Sequence, residues 1–204
     1  MSQPLPTVYL ARHGETEWSQ LGRHTGLTDI PLTPRGEQNA RQLGRRLREL
    51  TFARVLTSPL IRARRTCELA GYGDRAEADP DLVEWNYGHF EGLRTAEIRL
   101  NRPDWMLFRD GCPGGESFQE LTQRADRVIA RLRAMQADVL VFGHSHFSRM
   151  LAARWLGLPV EDARLFILST AALGALSYEH TREEPALRFW NDDRHLSAPT
   201  VEDS

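Results

Sequence analysis

The 204-residue sequence contains no lysine; all 26 of its basic residues are arginine. A Schiff-base or pyridoxal-phosphate enzyme needs a lysine amine, and a Walker-type phosphate loop ends on one, so neither chemistry is open to this chain. The positive charge that remains is the planar, permanently charged guanidinium, which suits bidentate recognition of carboxylate or phosphate. Cysteine is nearly as scarce. Cys67 and Cys112 are too few for a disulfide scaffold and show no metal-ligand spacing, which fits a reducing compartment. No run of about 18 apolar residues offers a membrane span, and the opening Met-Ser-Gln-Pro-Leu-Pro lacks the basic stretch of a secretory signal. A formal charge of −2 gives no general attraction to nucleic acid. The expectation is a cytoplasmic protein with neither a nucleic-acid nor a membrane partner.

What is present is an ordinary globular composition, 41% hydrophobic and long enough for one domain over residues 1–204. Apolar strand-like runs alternate with helical periodicity, which predicts a three-layer α/β/α sandwich around a mainly parallel sheet. Residues 7–11, 54–57 and 138–142 read as strands, 79–84 as a third extended segment, and 173–178 and 187–190 as antiparallel ones. Thr33-Pro34 predicts the start of one helix, and Ser117 with Glu120 forms a capping box that opens a long one. Residues from about 85 to 116 read as an aromatic-rich insertion of loop and helix, and about 192–204 as a frayed polar tail.

In open parallel sheets reactive groups gather at the carboxyl ends of strands. Here those positions hold Arg12-His13-Gly14, Ser58 to Arg62, Glu84 and Gly143-His144. Two guanidinium groups can hold a phosphoryl group, one imidazole can attack phosphorus, a second can stabilise its oxygens, and a carboxylic acid can protonate a leaving alcohol. Gly143 leaves room for a ligand beside His144. Glu15, Glu91 and Glu97 compete with Glu84 for the acid's role. A different reading is also open: Gly143-His144-Ser145-His146-Phe147 is close to the G-x-S-x-G elbow of a serine hydrolase with Ser145 as nucleophile. Asp162 or Asp192 with His180 or His195 would complete its triad, but Phe147 breaks the motif. No carboxylate or cysteine accompanies His144 and His146 at metal-ligand spacing, so neither metal nor cofactor is expected.

Leu10 to Trp18 around Arg12-His13-Gly14, Ser58 to Thr66, Leu82-Val83-Glu84, Tyr87 to Gly92 and Gly143-His144-Ser145 together resemble, in order, the motifs of the histidine phosphatase (phosphoglycerate mutase-like) superfamily. The resemblance spans about residues 7–190. It implies a phosphohistidine on His13, a phosphate pocket of Arg12, Arg62 and His144, and Glu84 as proton donor. Ser19 stands where close relatives carry a phosphate-binding asparagine. Thr25-Gly26 matches a loop on the substrate side, and Arg23, Tyr87, Ser145 and His146 join it as expected substrate contacts. Mutases of the family carry a longer insertion, a lysine and an arginine pair, all missing between Glu84 and His144. Metal-independent hydrolysis of a small phosphate ester is therefore expected over phosphoglycerate mutation. Similarity is greatest to the branch holding fungal sedoheptulose-1,7-bisphosphatase and mycobacterial acid phosphatase, which implies sugar phosphates or a broad range of monoesters. Relatives often pair through a sheet edge or exposed helices, so the resemblance admits a homodimer.

Overall fold

The computed structural model describes residues 5–196. One mixed sheet has the strand order β3-β2-β4-β1-β5-β6. Strands β1 (Val8–Arg12), β2 (Arg54–Thr57), β3 (Ala76–Ala78) and β4 (Val139–Gly143) are parallel. Strand β5 (Leu173–Tyr178) runs antiparallel to β1, and β6 (Pro185–Asp192) antiparallel to β5. The helices are α1 (Glu17–Gln20), α2 (Pro34–Leu47), α3 (Ile61–Leu69), α4 (Thr95–Asn101), α5 (Leu107–Asp110), α6 (Phe118–Ala134) and α7 (Ser145–Trp155). None among the described residues is long and apolar enough to cross a membrane.

Alternation along the strands explains the layers. Val8, Leu10, Leu56, Val139, Val141 and Leu176 join the core under α6 and α7, while Tyr9, Ala11, Val55, Leu140, Phe142 and Leu173 join the core under α2 and α3. A strand buried on both faces reads as a continuous apolar run, as these do. Thr33 caps α2, with Pro34 at its first position, and Ser117 and Glu120 cap α6 reciprocally. Residues 85–116 contribute Trp85, Tyr87 and Phe108 to the α6–α7 core.

Two expectations need correction. The segment 79–84 is not a strand: β3 ends at Ala78, and the Asp79 side chain accepts from Asp81 N to start a single 3-10 turn over Pro80–Leu82. Proline has no N–H for a ladder, so the strand stops before it. The tail is ordered further than expected. Asp192 closes β6, Arg194 Nε donates to its carboxylate at 2.8 Å, and His195 Nε2 lies 3.0 Å from Ala171 O. Residues 197–204 lie outside those described.

One glycine of the first motif has a packing reason. A Cβ on Gly14 would collide with the backbone carbonyl of Gly36 in the first turn of α2, whereas a Cβ on Gly143 would meet only Ser148 Oγ, at an ordinary 3.6 Å. Glycine at 143 is therefore not demanded by the protein's own packing. Gly14→Ala is expected to lower stability in urea by about 1–3 kcal/mol through overpacking, and Gly143→Ala to leave the midpoint unchanged.

Candidate active site

The carboxyl ends of β1, β2 and β4 bring His13, Ser58 and His144 together. His13 N donates to Gly143 O at 3.0 Å, and His13 O accepts from Ala171 N. Gly14 N donates to Thr66 Oγ1 at 2.9 Å, and that hydroxyl donates to Arg62 O at 2.7 Å, so α3 fixes the turn after β1. His13 Nδ1 lies 2.7 Å from Gly14 O. A carbonyl only accepts, so the proton sits on Nδ1 and the Nε2 lone pair is free. Burial, then the nearby Arg62 and Arg12 guanidinium groups, push the His13 pKa well below the ordinary histidine value.

The cations are held from behind. Arg62 is fully buried in the first turn of α3. Its Nη1 donates to Thr28 O at 2.9 Å, and its Nη2 to Gly26 O at 2.7 Å and Thr25 O at 3.3 Å. Arg12 Nη1 donates to Leu168 O at 2.7 Å, and burial lowers its pKa to about 10, which leaves it charged at neutral pH. The His144 ring stands 5.3 Å from that of His13, with Nε2 2.8 Å from Ser58 Oγ. Ser58 Oγ also accepts from Leu60 N at 3.3 Å, and its remaining lone pair and proton let it serve His144 Nε2 as acceptor or donor. Burial, then Arg62, keeps His144 neutral as well. Arg12 Nε, Arg62 Nε and His144 Nδ1 are buried without a partner. An unmet buried donor costs about 1–3 kcal/mol, and two arginine donors in one locus suit an acceptor such as a phosphoryl group.

Glu84 is 3% exposed. Its Oε1 accepts from Trp85 N at 3.0 Å and Phe147 N at 2.8 Å, and its Oε2 from His146 N at 2.9 Å. The last two donors belong to the first turn of α7, where helical N–H groups lack intrahelical partners. His144, the N-cap residue, makes no side-chain cap, and Glu84 supplies one from across the site. Oε1 is fully engaged, while Oε2 keeps one acceptor position on which a proton can be carried. The competing acids are occupied elsewhere. Glu15 accepts from Thr33 Oγ1, Glu91 from Gly26 N and Thr28 N, and Glu97 from Arg94 N.

The expected substrate contacts divide. Tyr87 is buried, and burial, then Glu84, pushes its pKa well up, so its hydroxyl stays neutral and shares a hydrogen bond with His146 Nδ1 at 2.5 Å. Thr25 and Gly26 present their carbonyls to Arg62. Ser19 turns its hydroxyl back on Thr16, donating to the carbonyl and accepting from the N–H, so the proton a phosphate would need is already used. Arg23 Nη1 donates to Gly92 O and ties the loop to the insertion. Ser145 Oγ donates to Leu168 O at 3.3 Å and meets no imidazole. The serine-hydrolase triad is not assembled: His180 pairs with Glu184, His195 with Ala171 O, Asp162 with Arg164 and Asp192 with Arg194.

Sequence reasoning assigned no role to Ser58, Thr66, Arg124 or Arg149. Arg149 stacks over Phe108 at 4.8 Å and donates Nε to Ala163 O; its terminal nitrogens have no partner among the described residues, and Glu84 and Tyr87 lie within electrostatic reach. Arg124 had a signal. It lies on the apolar stripe Leu121, Ala125, Val128, where a charge needs a reason.

A mixed, mainly parallel sheet whose carboxyl edge gathers two arginines, two neutral histidines and a buried carboxylate suits a phosphoryl-handling enzyme. The chain belongs to the histidine phosphatase superfamily, branch 1, whose model matches residues 8–193, and it is accordingly a phosphatase. It is 43% identical over 177 residues to an acid phosphatase of Mycobacterium tuberculosis, covering 85% of this chain and 87% of that one. Identity to the sedoheptulose 1,7-bisphosphatase of Saccharomyces cerevisiae is 34%, with 90% and 92% covered. A Salmonella choleraesuis protein named a probable phosphoglycerate mutase, GpmB, shares 31%, with 96% and 97% covered. The solved structure of a Mycobacterium tuberculosis open reading frame product superposes with a TM-score of 0.86 at 40% identity, covering 91% of this chain and 97% of that one.

Proposed function

We propose that this enzyme is a metal-independent phosphomonoesterase that works through a phosphohistidine on small phosphate esters, sugar phosphates among them. The observation that carries the reading is the His13 tautomer: Nδ1–H is committed to Gly14 O, and the Nε2 lone pair is free beside two buried guanidinium groups. Nε2 attacks phosphorus as the P–O bond to the alcohol breaks, and Glu84 Oε2 gives its proton to the departing oxygen. Arg12, Arg62 and His144 Nδ1 hold the non-bridging oxygens, whose charge grows in transfer. Water then attacks the phosphohistidine, Glu84 takes a proton from it, and inorganic phosphate leaves with His13 restored.

Support for sugar phosphates comes from Tyr87, His146 and the free terminal nitrogens of Arg149, which offer polar contacts to a hydroxylated or twice-charged substrate. A sugar bisphosphate stands in the name of one relative, the sedoheptulose 1,7-bisphosphatase. Hydrolysis rather than mutation is supported by the lack of lysine anywhere in the chain. A cytoplasmic setting is supported by the unpaired Cys67 and Cys112, whose thiols burial pushes up to about 12, away from the reactive thiolate.

In the presence of a chelator, vanadate is expected to inhibit hydrolysis of p-nitrophenyl phosphate, and a fluorophosphonate to leave it untouched. The reverse pattern sinks the reading. A panel of sugar mono- and bisphosphates ranked by kcat/KM then identifies the substrate class, and phosphoglycerate isomerisation as fast as hydrolysis would make the chain a mutase.

The pH profile follows from the His13 environment. Attack needs the neutral ring, so the rate rises with pH through the His13 pKa; because burial and Arg62 lower that pKa, the acid limb of kcat/KM should lie below about 6.5. A limb centred at or above that value contradicts the assignment. Stability moves with it. Below about 6.5 the unfolded His13 and His144 bind protons that the folded rings refuse, so stability falls with pH down to the lowered folded values, by up to about 3 kcal/mol per pH unit for the pair.

A further inference from the structure

We infer that Arg124 is a positioning residue for the proton donor: it binds together the segment that delivers Glu84, the end of the insertion at Glu116, and the first turn of α7 that grips the Glu84 carboxylate. Arg124 is 6% exposed, on the core face of α6. Its Nη1 donates to Asp81 O at 2.9 Å and Val83 O at 2.8 Å, and its Nη2 reaches Glu84 O at 3.5 Å. Nε and Nη2 each donate to a separate oxygen of Glu116 at 2.7 Å, a bidentate pair. The guanidinium carbon Cζ lies over the Phe147 ring, 3.8 Å from its centroid.

Each contact ends on the segment that carries Glu84, on a residue bonded to that segment, or on one that grips the Glu84 carboxylate. The carbonyls belong to the turn that carries it. Phe147 N donates to Glu84 Oε1, so the ring under Arg124 and the N–H on the carboxylate come from one residue. Glu116 O accepts from the Trp85 indole and Glu116 N donates to Asn86 O, which fixes the two residues that follow the acid. A salt bridge buried in a core is weakly stabilising at best, and a hydrophobic replacement is often as good. This one converges on one backbone segment, which points to geometry as its purpose. A carboxylic acid that must meet a leaving oxygen at hydrogen-bond distance loses rate steeply with small displacement.

The inference rests on the reading of Glu84 as proton donor, and leaving-group dependence tests both. A p-nitrophenolate needs little protonation as it leaves, whereas an alkoxide such as that of glycerol phosphate needs a full proton. Glu84→Gln, which keeps the shape and loses the proton, sets the reference: kcat/KM should fall about 100-fold or more for glycerol phosphate and far less for p-nitrophenyl phosphate. Arg124→Lys and Glu116→Gln should show the same bias, at least about 10-fold on the alkyl ester with the aryl ester and vanadate inhibition within about 3-fold. A merely structural Arg124 would lower both esters together or neither, and either result overturns the inference. If Glu84→Gln itself shows no bias, the donor assignment fails; if it does and the Arg124 and Glu116 variants do not, only the positioning role fails. Should Arg124→Lys not fold, the isosteric Glu116→Gln decides.

Discussion

Replacing His13 by alanine is expected to lower kcat by at least about 10⁴-fold, the size of loss seen when a nucleophile is removed and only binding and electrostatic stabilisation remain. No neighbour can take over the attack. His144, whose ring stands 5.3 Å from that of His13, has its Nε2 engaged with Ser58 Oγ, so that nitrogen is not free to attack phosphorus. The measurement is a quench of the enzyme turning over a radiolabelled phosphate ester. Wild type should retain label that survives base and is lost in acid, as a phosphoramidate is, and the variant should carry none. Label that persists in the variant would remove His13 from the role.

The second large effect belongs to Arg62, and it should appear even in the change that keeps the charge. Arg62→Lys is expected to cut kcat/KM by about 10²–10³-fold, the cost of losing one organised donor to a developing anion. It should also lower stability, because the carbonyls of Thr25, Gly26 and Thr28 share the terminal nitrogens of one guanidinium, and unmet buried acceptors cost about 1–3 kcal/mol each. A lysine is a single point donor on a flexible stem and cannot serve three carbonyls while presenting a fourth N–H to phosphate. Arg12→Lys gives up only the bond to Leu168 O and should lose less stability. Steady-state kinetics with urea unfolding checks both; kcat/KM within about 5-fold of wild type would remove Arg62 from the pocket.

Much of this site was legible because strand ends are easy to find. An apolar run that stops at a charged or polar group marks both a buried strand and the rim where its chemistry sits, as at Arg12-His13-Gly14 and Gly143-His144, and more weakly at Ser58 after the four-residue β2. Glu84 does not. The Pro80 turn leaves the acid on a loop whose position comes from Arg124 and α7, forty and sixty residues further along, and no local pattern encodes that. Ser19 has a similar local reason: its hydroxyl finds a near partner in Thr16, a capping contact that the resemblance does not encode. Arg124 is the exception on an amphipathic helix, where most arginines face water, and its spacing beside Leu121 and Ala125 places it on the buried stripe.

The order of strands bears on how the enzyme comes into being during synthesis. β1 is made first, yet its neighbours in the sheet are β4 and β5, so residues 8–12 must wait for residues 139–143 and 173–178 before either edge is paired. His13 N and O are likewise held by Gly143 and Ala171. Such long-range pairing closes slowly and leaves apolar strand edges open while the ribosome works. The candidate pocket is thus assembled only after most of the chain has emerged, and a nascent polypeptide carrying every residue up to the insertion would still lack the backbone partners that hold His13.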